Sequence, residues 1–144
     1  MSIKQISVFL ENKPGKLGEM TKILAENNID MRALSLAETK DFGIARMIVD
    51  DAFEAANILR ENNFIANFSP VLAFAVPDEP GGLHKLLNVF EQAKVNIEYM
   101  YAFLGSAGSK HAYMIFRVTD TKNSEIALAS LGIRSMTQDE IALV

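Results

Sequence analysis

Two short segments of this chain carry residue types that can grip a small charged molecule. They are Asn12-Lys13-Pro14-Gly15-Lys16-Leu17 and Asp78-Glu79-Pro80-Gly81-Gly82-Leu83. In each, a side chain with an oxygen acceptor stands two residues before Pro-Gly, and an amphipathic run follows. Proline is tolerated at a helix start because its missing N–H would be unpaired there. Glycine beside it has no side chain, so a ligand can approach the backbone closely. Free N–H groups and the positive end of a helix suit an anion such as an α-carboxylate. An α-ammonium needs oxygen acceptors instead, which Asn12 or Asp78 in the seam and Asp30 or Asn96 further on can offer. The chemistry suggested is capture of a zwitterion. Taken singly, each seam also reads as an ordinary turn with an Asx cap.

The elements that position these seams follow from a repeat. A shift of 66 residues places Pro14 on Pro80, Gly15 on Gly81 and Leu17 on Leu83. Apolar residues then fall on apolar ones: Met20 on Leu86, Ile23 on Val89, Leu24 on Phe90 and Leu34 on Met100. Periodicity within each copy predicts strand, helix, strand, strand, helix, strand. In the first copy these are Ile3 to Leu10, a helix from Leu17, Met31 to Ala37, Ile44 to Val49, Ala52 to Arg60, and Phe64 to Ser69. Asn27-Asn28 closes the first helix and Asp50-Asp51 caps the second. Pro70 marks the handover. In the second copy they are Val71 to Val76, Gly81 to Ala93, Asn96 to Leu104, His111 to Val118, Asn123 to Leu131, and a short Arg134 to Thr137. Turns are expected over Glu38 to Phe42 and Gly105 to Ser109. The fold class is therefore α+β: a ferredoxin-like βαββαβ sandwich duplicated in tandem, with domains at 1–69 and 70–144.

Composition narrows the function. The 144 residues are 49% hydrophobic and 22% charged, the profile of a globular protein. The longest apolar run, Val71 to Val76, is far short of a membrane span, and no signal peptide is apparent, so a cytoplasmic location is expected. The absence of cysteine excludes disulfides, thiolate metal sites and thiol catalysis. A net charge of −4 argues against nucleic acid as a partner. His84 and His111 have no companions at metal or triad spacing, so no metal, cofactor or catalytic residue is expected. Lys110 to Phe116 faintly echoes an RNA-recognition strand but lacks its glycine and aromatic spacing.

The duplicated pattern resembles the ACT domain. Its pieces are Asn/Asp-x-Pro-Gly-x-Leu opening a helix and an apolar-Asn/Asp-apolar entry to the second strand, here Ile29-Asp30-Met31 and Val95-Asn96-Ile97. The resemblance covers essentially the whole chain. It implies regulatory binding of a small ligand, usually an amino acid, at an interface between paired domains, without catalysis, controlling enzymes or transcription factors in the same chain or in another. The expected target here is an enzyme of amino-acid metabolism in a separate chain. A homodimer is also implied. The candidate ligand-binding residues are Asn12, Pro14, Gly15, Leu17 and Asp30 in the first copy. In the second they are Asp78, Glu79, Pro80, Gly81, Gly82, Leu83 and Asn96, with Met100 and Tyr101 as walls. Gly81-Gly82 and the donor capacity of Asn96 favour the second seam, though either or both can serve. The competing expectation is an interaction module that binds no ligand and assembles with a partner enzyme.

Overall fold

The computed structural model describes residues 2–38, 41–103 and 108–144. The elements run β1 (Ile3–Glu11), α1 (Lys16–Glu26), β2 (Met31–Glu38), β3 (Phe42–Val49), α2 (Ala52–Glu61), β4 (Ile65–Pro77), α3 (Gly82–Gln92), β5 (Ile97–Ala102), β6 (His111–Val118), α4 (Thr121–Ser130) and α5 (Gln138–Ala142). Two compact units result, one of residues 4–69 and one of residues 70–144 with residues 2–3. This is the duplicated ferredoxin-like order.

In the first unit β3 lies between β1 and β2, antiparallel to both. Alternation sends Ile6, Val8 and Leu10 of β1 and Ala45, Met47 and Val49 of β3 to one face. There they bury against Met20 and Leu24 of α1 and Ala55, Ala56 and Leu59 of α2. In the second unit β6 lies between β4 and β5, antiparallel to both. Leu72, Phe74, Val76, Phe116 and Val118 pack against Leu86 and Phe90 of α3 and Leu128 of α4. Phe74, Phe90 and Phe116 meet as three ring pairs at 4.8–6.0 Å, each inclined rather than parallel, the arrangement that ring quadrupoles favour.

Helix ends follow local chemistry. Asp51, Asp120 and Thr137 each accept a backbone N–H at the start of α2, α4 and α5. Asn28 stands at φ 57° just past α1, the left-handed conformation asparagine tolerates.

Three expectations are corrected. Pro70 does not divide two strands: β4 runs through it from Ile65 to Pro77. Proline's fixed φ fits an extended strand, and exposed Pro70 can lack its N–H without breaking a buried bond. The short strand over Arg134 to Thr137 forms no ladder, because only Met136 N–H reaches across, to the Ala73 carbonyl at 2.7 Å. The last residues, whose acidic pair Asp139-Glu140 reads from sequence as a solvated end, are instead ordered. Thr137 caps the unanticipated α5, Ile141 is buried, and Arg134 clamps Glu140 with two bonds of 2.7 and 3.2 Å. The expected turns fall partly outside the described residues, at 39–40 and 105–107.

Candidate ligand-binding site

The two seams fold identically. Lys13 N–H bonds the Glu11 carbonyl and Lys16 N–H bonds the Lys13 carbonyl; Glu79 N–H bonds the Pro77 carbonyl and Gly82 N–H bonds the Glu79 carbonyl. Proline at the second position and glycine at the third, with Gly15 at φ 89° and Gly81 at φ 87°, make each a type II turn. Glycine is needed because the third position requires positive φ. Proline therefore sits ahead of the helix rather than in its first turn, and glycine becomes the N-cap. Neither α1 nor α3 has a side-chain cap, unlike α2, α4 and α5. The expected Asx cap is absent because Asn12 turns elsewhere, its amide donating to the Glu38 carboxylate at the end of β2.

Both residues of that bond line a cleft of about 210 Å³. Leu10, Leu17 and Leu36 supply its apolar wall, Gly43 part of its surface, and Glu11, Asn12, Lys13, Lys16 and Glu38 its polar lining. Lys13 and Glu11 pair at 2.8 Å, and this hydrogen bond holds the Glu11 carboxyl below its ordinary range and raises the Lys13 ammonium. Lys16 lies 3.5 Å from the Glu19 carboxylate, and its charge also helps to lower the Glu11 carboxyl. The cleft lining thus combines a cation from α1, a carboxylate from β2 and three leucine side chains.

The remaining candidates lie elsewhere. Asp30 and Asn96 stand at the far end of their sheets from the seams. An eight-residue β2 separates Asp30 from the Glu38 end by roughly 25 Å. The cause is topological: α1 and α3 run back across the sheet, so the second strand begins where the first began. Both residues staple the entry of one strand to the end of the next. The Asp30 carbonyl accepts from Asp50 N–H and the Asn96 carbonyl from Thr119 N–H. Asp50 also accepts from Asp30 N–H, the Asn96 amide donates to Thr119 Oγ1, and Arg32 lies 3.5 Å from the Asp30 carboxylate.

In the second seam, Asp78, Glu79, Pro80 and Gly81 are exposed and Leu83 is half-buried against the core. Gly82 does not open the backbone to a ligand, because a Cβ there would stand 2.2 Å from the Pro77 carbonyl oxygen, which fills that space. Met100 packs on the core, whereas Tyr101 projects to the opposite face and stacks with Tyr99 at 6.5 Å. The sequence pattern does not single out Lys16 as a site residue, nor Glu38, Leu36 and Gly43. Their signal was the β2–β3 hairpin, whose pairing of Glu38 with Gly43 and of Gly43 with Leu10 brings them beside the seam.

The family model of an ACT domain pair matches residues 1–140. The chain belongs to the ACT domain pair family. Among solved structures, a Bacteroides thetaiotaomicron protein is 35% identical, with a TM-score of 0.90, over 100% of this chain and 98% of that one. The aspartate kinase regulatory subunit of Thermus thermophilus, in its ligand-free form, is 18% identical, with a TM-score of 0.64, over 90% of this chain and 89% of that one. The corresponding subunit of Thermus flavus is 16% identical, with a TM-score of 0.59, over 88% and 90%. These last two share the fold of the ACT pair. No curated protein sequence matches it. Among the described residues of this ACT pair, no helix is long and apolar enough to cross a membrane and no group of three His, Asp or Glu is placed to hold a metal ion.

Proposed function

We propose that this ACT pair is a regulatory protein that binds an amino acid at the first seam and acts on a metabolic enzyme in a separate chain. Binding rather than catalysis is its role, and each of the segments 1–69 and 70–144 serves as one module. The observation that carries this reading is the cleft between the Pro14-Gly15 turn and the end of β2, which is lined by leucine side chains and by charges of both signs. Its volume is below the roughly 300–1,000 Å³ typical of sites for drug-sized ligands, which suits a single small metabolite. The uncapped start of α1 adds backbone donors for a carboxylate. The fold likeness to aspartate kinase regulatory subunits, over 88–90% of the chain, favours a regulatory role.

Asp30 and Asn96 enter this reading only through a second copy of the chain, since within a unit they stand at the far end from the seam. The test is a thermal-shift screen of the purified protein against the twenty amino acids at millimolar concentration. A ligand at a hundred times its dissociation constant adds about 2.7 kcal/mol of stability. We expect one amino acid, or a few related ones, to raise Tm, and Asn12→Ala to abolish the shift. If no amino acid raises Tm, the reading fails, and the chain is better taken as an interaction module.

A further inference from the structure

The geometry points to an α-amino acid with an unbranched or branched aliphatic side chain as the occupant of the first-seam cleft, its ammonium on Glu38 and its carboxylate on Lys16. This rests on the amino-acid-binding reading above and names the ligand class of that site. The charges decide the head group. Glu11 and Lys13 pair at 2.8 Å, so the other charged side chains lining the cleft are Glu38 and Lys16, the latter held by Glu19 only at 3.5 Å. Asn12 holds the Glu38 carboxylate over the cleft through one oxygen, Oε1, leaving the other to accept an ammonium proton. A plain anion would meet Glu38 and a plain cation would meet Lys16, so a molecule carrying both charges matches best.

The walls decide the side chain. Leu10 is buried beneath the cleft, Leu17 is half-buried, and Leu36 keeps 50% of its surface exposed. Hydrocarbon laid over Leu36 is removed from water, whereas a polar side chain there would lose solvent without gaining a partner. Gly43 sets the depth. A Cβ on it would stand 3.3 Å from Leu36 Cδ1, so any larger residue obliges Leu36, which lines the same cleft, to shift.

The test is titration of the full chain with L-leucine, L-isoleucine, L-valine and L-methionine, set against the remaining amino acids. Two leucine analogues are included: leucine amide, which lacks the carboxylate, and 4-methyl-2-oxopentanoate, which lacks the ammonium. An aliphatic amino acid should bind most tightly and both analogues at least tenfold more weakly than leucine. Glu38→Gln should weaken leucine about tenfold or more, by loss of a hydrogen bond to a charged group. Gly43→Ala should weaken leucine more than valine, a change in ranking that a general loss of folding would not produce. Binding of a polar amino acid that is lost in Asn12→Ala would overturn this inference while the amino-acid reading stands. Aliphatic binding unaffected by Glu38→Gln and Gly43→Ala would overturn it too. If no amino acid binds, both readings fall.

Discussion

Gly82 and Gly18 show how differently one residue type can be used within the same repeat. Gly82 is buried, and a methyl group there would stand 2.2 Å from the Pro77 carbonyl oxygen, which is backbone and cannot swing aside. Gly82→Ala should therefore cost several kcal/mol, in the range of severe overpacking or more. Gly18 lies inside α1 with nothing within 4 Å of the same methyl group. Gly18→Ala should stabilise by about 0.5–1 kcal/mol through reduced chain entropy. Urea denaturation of both variants checks the pair, and similar effects in the two would contradict this account. The sequence signalled that Pro-Gly mattered but not why. The repeated dipeptide was visible, whereas the need for positive φ at Gly15 and Gly81 depends on the turn that each seam closes. The second glycine of the second seam looked like room for a ligand because sequence cannot show that the chain's own carbonyl fills it.

At the scale of elements, periodicity placed ten of the strands and helices because each carries one buried face. What it missed depended on partners distant in sequence. The continuity of β4 through Pro70 and the reduction of Arg134 to Thr137 to a single backbone bond are properties of neighbours rather than of the segments. α5 is too short for periodicity, and its signal was the capping pair Thr137 and Glu140. The Arg134 hydrogen bond and charge hold the Glu140 carboxyl below its ordinary range. A carboxyl lowered in the folded state contributes stability above its unfolded pKa and loses it as pH falls through the folded value. Glu140→Gln should thus lower Tm slightly at neutral pH. The difference from the parent should begin to shrink as pH falls through the unfolded carboxyl value of about 4.3 and be gone once it passes the lower folded value. The effect is small because the pair is largely exposed. Phe90→Ala should act far more strongly. It removes one member of the buried aromatic triad, and the expected loss is about 3–5 kcal/mol in chemical denaturation.

For the whole molecule, the duplicated architecture was legible in the sequence while its association was not, because association depends on which surfaces remain uncovered. β2 pairs on one side with β3 and ends the order of strands, so its other side presents backbone groups. Edge strands are usually protected by charge, proline or a covering element. Over its second half β2 carries Leu36, Ala37 and Glu38, all exposed, and Phe42, which opens β3, is 53% exposed. An apolar rim on an uncovered strand favours pairing with another chain. We therefore expect a homodimer through β2, which would also place the Asp30 end of one copy near the seam end of the other if the strands run antiparallel. Light scattering should give a mass near twice 15.9 kDa for the purified chain. Ala37→Lys puts a charge on the strand without entering the leucine wall of the cleft, so it should shift the mass toward the monomer. A dimer unaffected by Ala37→Lys would move the interface to another surface, and a parent mass near 15.9 kDa would remove the dimer, and with it any role for Asp30 or Asn96 in the site.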